Sequence, residues 1–422
     1  MLAKEAVNNF DEQLDKYSGY VEEQIKHVIG TIGPRESGEE SERRAQDYVA
    51  EHMKATADEI VREPFKLHPK AFMGWVLIDG VCMFLAAISM ILAIFGDFGP
   101  KGLAAVWVGL LFTLVSVACI LGEFLFYKEF LDPLFPERES SNVICTRRAA
   151  GETKRRVVFA GHIDSAYEWR YTYLGGGRLL TTIIAIGIVC LVADLIIAIL
   201  LLCGLCTTGV LKVIALIFLF ITIPEMVLIT RFVNWKLVVP GANDNLTGVF
   251  GSMAVMQFLK DNDIRLENTE VVCMSTGCEE AGLRGAKAFA KLHADEFAKE
   301  DIETICICTD TLRDYDFMGV YNKDMSGTVK LDPKVAGLVK EASKNAGLDL
   351  PYANVFFGSS DAAALAQGGI KACCLAAMDP TPARYYHTRL DTADNLDPKT
   401  IKAGLNVLLE SLYLFDEKGL EY

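Results

Sequence analysis

Four long apolar runs, roughly Met73–Phe95, Leu103–Phe126, Leu179–Leu205 and Val210–Thr230, constrain this chain more than any other feature. Each is long enough to cross a hydrocarbon core, which takes about 20 helical residues. They come as two adjacent pairs, closed by Gly96-Asp97-Phe98-Gly99-Pro100-Lys101 and by Cys206-Thr207-Thr208-Gly209, so each pair reads as a helical hairpin. A buried helix in a large soluble core is the plainer reading of one such run; four in two pairs point to membrane spans. They account for a hydrophobic content of 51%. Because both excursions return, every polar segment falls on one side of the bilayer. Met1-Leu2-Ala3-Lys4-Glu5 leads into a charged amphipathic segment and does not read as a cleavable signal. Arg62, Lys66, Lys70, Lys128, Arg170, Arg178, Arg231 and Lys236 flank the runs on the polar-domain side, against Lys101 and Lys212 near the turns. That bias predicts an integral membrane protein with a cytoplasmic polar domain and cytoplasmic termini. The 12 cysteines are scattered, many in or beside apolar runs, and read as buried reduced thiols.

The expected organisation is a polar domain in three pieces, 1–70, 131–178 and 232–422, interrupted by transmembrane hairpins at 71–130 and 179–231. The first piece holds a helix around Ser41–Met53 and an extended Ile60–Phe65, and the second the strands Asn142–Thr146 and Arg156–Ala160. The last alternates helix Asn245–Leu259, strand Glu270–Ser275, helix Gly285–Lys299, strand Thr304–Thr309, helices near Pro333–Ala346 and Asp361–Gln367, strand Ala372–Ala376 and helix Thr400–Phe415. Such alternation predicts an α/β fold with a mixed, mostly parallel central sheet and helices on both faces. A net charge of −14 argues against a nucleic-acid partner. One acid stands in each apolar run: Asp79, Glu123, Asp194 and Glu225. Intramembrane acids are functional suspects. Three of them lie near the polar-domain end of their run, where an interfacial position explains them, and only Asp194 lies deep.

Chemistry-bearing residues gather after the strands. Glu279-Glu280 follows the apolar Glu270–Met274, and two carboxylates there need a partner. Taken alone the pair also fits a solvated helix start. A metal cation is the more effective partner, since one carboxylate can ligate it while the other takes a proton from metal-bound water. His162 and Asp164 follow Val157–Ala160, Asp310 follows Ile305–Thr309, His387 stands beyond Cys373–Ala376, and Asp244 lies in a loop that opens a helix. Ligands collect beyond the carboxyl ends of strands in open α/β sheets, so these groups should converge. Two imidazoles with three carboxylates suit a pair of borderline cations such as zinc, where carboxylates alone would favour magnesium or calcium. His27, His52, His68 and His293 sit in segments that read as solvated helix or linker and receive no role.

The order and surroundings of these groups resemble a known superfamily. His162-x-Asp164, Gly241-Ala242-Asn243-Asp244-Asn245, Glu279-Glu280-x-Gly282, Asp310, Ser360-Asp361 and Tyr386-His387-Thr388 are similar to the motifs of the co-catalytic zinc aminopeptidases, which include bacterial leucyl aminopeptidase, glutamate carboxypeptidase and glutaminyl cyclase. Ile32-Gly33-Pro34-Arg35-Glu36-Ser37-Gly38 is similar to the superfamily's opening segment. The resemblance covers the polar pieces and not the hairpins. It implies two zinc ions bridged by Asp244, with His162 and Asp310 completing one shell and Glu280 and His387 the other. It further implies that Glu279 is the general base, that Asp164 orients the His162 ring, and that Tyr386 stabilises an oxyanion. The expected activity is removal of N-terminal residues from peptides by a membrane-anchored enzyme. Two readings stay beside it: related di-zinc chemistry on another substrate (carboxypeptidase, deacylase or cyclase), and a non-enzymatic transport or receptor protein built on the four spans. Oligomeric state is not legible in the sequence.

Overall fold

A computed structural model describes residues 2–96, 99–299, 301–355 and 358–422; Asp97 and Phe98, in the turn of the first hairpin, lie outside the described residues. The chain divides into two units. One comprises Met1–Pro69, Glu137–Glu168 and Lys236–Tyr422, and the other Lys70–Pro136 and Trp169–Trp235.

In the first unit, strands β1 (Glu59–Leu67), β2 (Arg138–Arg147) and β3 (Arg155–His162) precede β4 (Tyr167–Trp169) and β5 (Val233–Val238). They are followed by β6 (Thr269–Thr276), β7 (Glu303–Leu312), β8 (Met318–Asp324), β9 (Val329–Lys330), β10 (Tyr352–Asn354) and β11 (Ala372–Ala377). Among the described residues, nine of these form one sheet in the order β1-β2-β6-β3-β7-β11-β8-β10, with β9 on β8. The four central strands β6, β3, β7 and β11 run parallel, and β2 and β8 flank them antiparallel. The central strands are continuous apolar runs because both of their faces are covered: Val157, Val158, Phe159 and Ala160 are all 0% exposed. β4 and β5 form a separate two-stranded ribbon through which the chain leaves and re-enters this unit.

Helices α1 (Ala3–Ala6), α2 (Phe10–Thr31) and α3 (Glu40–His52) open this unit, which later contributes α8 (Thr247–Asp261), α9 (Arg284–Phe297), α10 (Pro333–Asn345), α11 (Asp361–Gln367) and α12 (Pro398–Lys418); helices α4 to α7 belong to the second unit. From β3 to β6 the chain crosses by α8, and from β6 to β7 it crosses back by α9. Right-handed crossovers in opposite directions place α8 and α9 on opposite faces of the sheet. α8 is apolar all round, as a helix in the middle of a core must be, with Val249, Phe250, Met253, Ala254 and Phe258 buried. The fold is therefore the mixed, mostly parallel α/β architecture that the alternating pattern predicts.

The second unit consists of α4 (Ala71–Phe95), α5 (Pro100–Cys119, continued by a wider turn Ile120–Leu125), α6 (Arg170–Leu202) and α7 (Gly209–Thr230). All four are long and apolar enough to cross a membrane, with mean hydropathy of 2.4 to 3.1. The third begins nine residues before the apolar run, at Arg170, and Gly176 breaks its helical geometry with φ +67. Small residues let the helices approach closely: a Cβ on Gly80 would lie 2.4 Å from Thr230 Cγ2, and one on Gly109 2.8 Å from Met90 Cγ. Asp194 is buried and accepts a hydrogen bond from Thr222 Oγ1 at 3.1 Å, joining α6 to α7. Outward faces carry exposed Leu92, Trp107, Leu111, Ile188, Ile196 and Phe220. Contiguous apolar surface of this kind is a liability in water.

Candidate metal centre

Strand register brings the predicted ligands to one level of the sheet. His162, the last residue of β3, pairs with Thr276 at the end of β6, and Ala376 of β11 pairs with Asp310 of β7. Ala160 pairs with Cys308, which sets Asp310 level with His162 across the β3–β7 boundary. This is where the strand order reverses, the place where open α/β sheets form their ligand crevice. Asp244 enters from the loop before α8, and Glu279 and Glu280 from the turn after β6. A Cβ on Gly161 would lie 2.5 Å from Gly248 C and 2.6 Å from Val249 N. Only glycine lets β3 meet the start of α8 so closely.

Asp244 sits between the two imidazoles. Its Oδ1 lies 3.2 Å from His162 Nε2 and its Oδ2 lies 3.0 Å from His387 Nε2. The adjacent glutamates reach toward different rings: Glu279 Oε2 is 3.8 Å from His162 Nε2, and Glu280 Oε1 is 3.3 Å from His387 Nε2. Ligand atoms of His162, Asp244 and Glu280 lie within 4.8 Å of one another, and so do those of His162, Glu279 and Asp310. Glu280 thus lies within reach of both imidazoles, 3.3 Å from His387 and grouped with His162 through Asp244. Asp164 faces His162 Nδ1 at 3.4 Å and accepts the backbone N–H groups of Glu279 (3.0 Å) and Glu280 (3.1 Å) and the Ser37 hydroxyl (2.7 Å). Tyr386 stacks on His387 with ring centroids 4.0 Å apart. It borders a small cleft that Asp310, Tyr321, Val355, Cys374 and Met378 also line.

Several supporting residues escape a sequence reading. Asp391 accepts the backbone N–H of Asn243 (2.9 Å) and of Asp244 (3.1 Å) and so fixes the loop that presents Asp244. Asn245 ties the same loop to β7, donating to Thr309 O at 2.9 Å and accepting from Thr311 N at 3.3 Å. Glu42 of α3 accepts the N–H of Cys278 at 2.8 Å, next to the glutamate pair. Only the spacing of Asp391 after His387-Thr388 offers a sequence signal, and acids in loops are too common for it to stand out.

The electrostatics fit a cation. Burial opposes charge on His162, but Glu279, Asp164 and Asp244 outweigh it and hold its pKa well above the ordinary value. Burial, reinforced by neighbouring carboxylates, pushes Glu279 and Glu280 well up, and Asp310 up to about 7. Asp244 is held down despite burial, because both imidazoles bond to it. Asp244 Oδ2 and Glu280 Oε1 are buried and converge on one ring nitrogen, His387 Nε2. So many acids cannot all ionise together unless positive charge joins them. Two imidazoles with clustered carboxylates are the donor set zinc prefers, and binding would displace the protons these acids hold.

Fold and site together present imidazoles and carboxylates grouped closely enough to hold a metal ion. Residues 229–412, which carry Asp244, Glu279, Glu280, Asp310 and His387, match the family model described as Peptidase family M28. Among solved structures, the chain is similar to an aminopeptidase from Aneurinibacillus sp. strain AM-1 (14% identity, TM-score 0.54, covering 96% of this chain and 95% of that one). A glutaminyl cyclase from an Acidobacteriales bacterium is similar at 13% identity and TM-score 0.55, covering 96% of each chain. BSAP, a zinc aminopeptidase from Bacillus subtilis, is similar at 14% identity and TM-score 0.53, covering 94% of each. No curated protein matches the chain by sequence. The family match spans the carboxyl-terminal part of the chain, and these solved structures share its fold.

Proposed function

We propose that this protein is a membrane-anchored aminopeptidase that holds two zinc ions and removes N-terminal residues from peptides. The observation that carries the reading is the placement of Asp244, whose two oxygens face imidazoles from two different parts of the chain at 3.2 and 3.0 Å. His162, Asp310, Glu280 and His387 complete the ligand set, with Asp244 shared. Zinc, when bound, supplies a Lewis acid that lowers the pKa of water toward 7 and polarises the peptide carbonyl. Glu279 Oε2 takes the proton of the attacking water and delivers it to the nitrogen of the leaving peptide; its raised proton affinity suits a base that must hold that proton between steps. Asp164 orients both the His162 ring and the Glu279-Glu280 turn. Tyr386 directs its hydroxyl at the carbonyl oxygen as charge develops. The apolar lining of Val355, Cys374 and Met378 suits an uncharged side chain next to the scissile bond.

The four apolar helices cross the bilayer as two hairpins, and the flanking basic residues favour a cytoplasmic catalytic domain and termini. The fold also hosts glutaminyl cyclases, which keeps a second reaction class in view. Zinc analysis of purified protein with a panel of free, N-blocked and N-terminal glutamine peptides separates the readings. Zinc-dependent shortening of free-amine peptides only is the expected result. Cleavage of blocked peptides, or release of ammonia from N-terminal glutamine without shortening, would replace the aminopeptidase by its relatives. Absence of both zinc and turnover would return the non-enzymatic reading.

A further inference from the structure

Arg35 is 0% exposed, yet among the described residues its guanidinium meets carbonyl oxygens alone. Nε donates to Ile163 O at 2.6 Å, Nη1 to Gly33 O at 3.2 Å and Pro240 O at 2.5 Å, and Nη2 to Gly241 O at 2.8 Å. A buried cation is costly unless its donors are satisfied and opposite charge lies near. Here the nearby carboxylates of Asp164, Asp391, Asp244 and Glu280 favour the charged form, and although burial lowers its pKa to about 10 it stays charged at neutral pH.

The partners are what make this arrangement informative. Ile163 stands between the ligand His162 and Asp164, while Pro240 and Gly241 begin the loop that presents Asp244. In the sequence these two segments are separated by α6 and α7. Arg35 N donates to Ser165 Oγ at 2.9 Å, and Ser165 N donates back to Arg35 O at 2.9 Å. Ser37 Oγ, two residues on, reaches Asp164 Oδ2 at 2.7 Å. The loop is moulded around the guanidinium: Gly241 has φ +62, and a Cβ there would lie 2.7 Å from Arg35 Nη2. A planar fork can bridge carbonyls on two segments at fixed spacing, which a lysine ammonium cannot do.

We propose that Arg35 is a positioning residue that sets the spacing between the His162 and Asp244 segments and thereby the zinc affinity of the centre. The proposal rests on the metal-centre reading above. It is tested in the full-length protein by zinc competition against a chromophoric chelator and by the visible spectrum of the cobalt-substituted enzyme, comparing wild type, Arg35→Lys and Arg147→Lys. Arg147 is a control of similar construction outside the site, donating to Thr56 O at 3.3 Å and Ile264 O at 3.0 Å. Arg35→Lys should lose about 10–100-fold in zinc affinity, as changes behind metal ligands typically do, with an altered cobalt spectrum and a fall in kcat larger than any change in KM. Arg147→Lys should lower the melting temperature and leave affinity and spectrum alone. If Arg35→Lys does not fold, Ser165→Ala, which removes one anchor of the same segment, should still weaken zinc measurably. Unchanged affinity in a folded Arg35→Lys, unchanged affinity in Ser165→Ala where Arg35→Lys fails to fold, or an equal loss in Arg147→Lys, overturns the proposal. A wild type that binds no zinc removes the metal centre itself, and the clamp with it.

Discussion

Asp164 shows how much one buried carboxylate can organise. It accepts two successive backbone N–H groups and a hydroxyl while facing a histidine ring, so His162 and the glutamate pair share one support. Asp164→Ala should strand those donors at about 1–3 kcal/mol for each buried group left unpaired and weaken zinc by about 10–100-fold. Thermal melts and a zinc titration would show both losses together; loss of stability with normal zinc binding would contradict the shared role. A second residue-scale prediction concerns the stack of Tyr20, His52, Tyr48 and His27. Burial, helped by His27, lowers the pKa of His52 below its ordinary 6.5. Below that value the unfolded chain takes up a proton that the folded one resists, so stability is complete above 6.5 and declines as pH falls toward the folded pKa. Wild type should therefore lose melting temperature between neutral and mildly acid pH more steeply than His52→Gln. Parallel curves would show that His52 does not titrate differently on folding.

The elements that carry the ligands were the most legible part of the chain. β3, β6, β7 and β11 are short apolar runs bounded by polar loops, and their carboxyl ends could be marked by the residues that follow. α2 was harder to read: Leu14, Tyr17, Val21, Ile25 and Val28 form a buried stripe at helical spacing, diluted by charges on every other side. β8 and β10 escaped because strand identity there comes from pairing in the sheet and not from composition; Asn322, Lys323 and Asp324 look like loop. The junction of β3 with α8 supplies an element-scale prediction. Gly161→Ala forces a methyl against the backbone of Gly248 and Val249, where no side chain can yield. Overpacking of this kind costs about 1–3 kcal/mol. Chemical denaturation should register that loss, and an unchanged midpoint would mean the two elements are not held so closely.

At the scale of the whole molecule, five candidate ligands and a base come from pieces of chain lying on both sides of a long apolar hairpin, and they still converge at one end of one sheet. The sequence motifs marked those six residues, because each is a chemically distinctive side chain at a strand end or in a loop beside one. They could not mark Arg35, Asp391 or Glu42 as their supports, because a hydrogen bond to a carbonyl or an N–H leaves no pattern in composition. Two hairpins that cross a bilayer would also fix a topology. Single-cysteine labelling in intact cells should place Asn262 and Tyr422 together on the cytoplasmic side and Lys101 and Thr208 on the other. Labelling of Asn262 from outside would invert the orientation, and labelling of Lys101 together with Asn262 would mean the first hairpin does not cross. The central claim is that these residues form a working zinc centre in which Glu279 moves protons and Glu280 holds metal. It is tested most directly by measuring zinc content and peptide turnover of Glu279→Gln beside wild type and Glu280→Ala. Glu279→Gln should keep zinc near the wild-type level while turnover falls by about 10²–10⁴-fold, the usual contribution of a general base, and Glu280→Ala should lose both. Substantial turnover by zinc-replete Glu279→Gln would contradict the account.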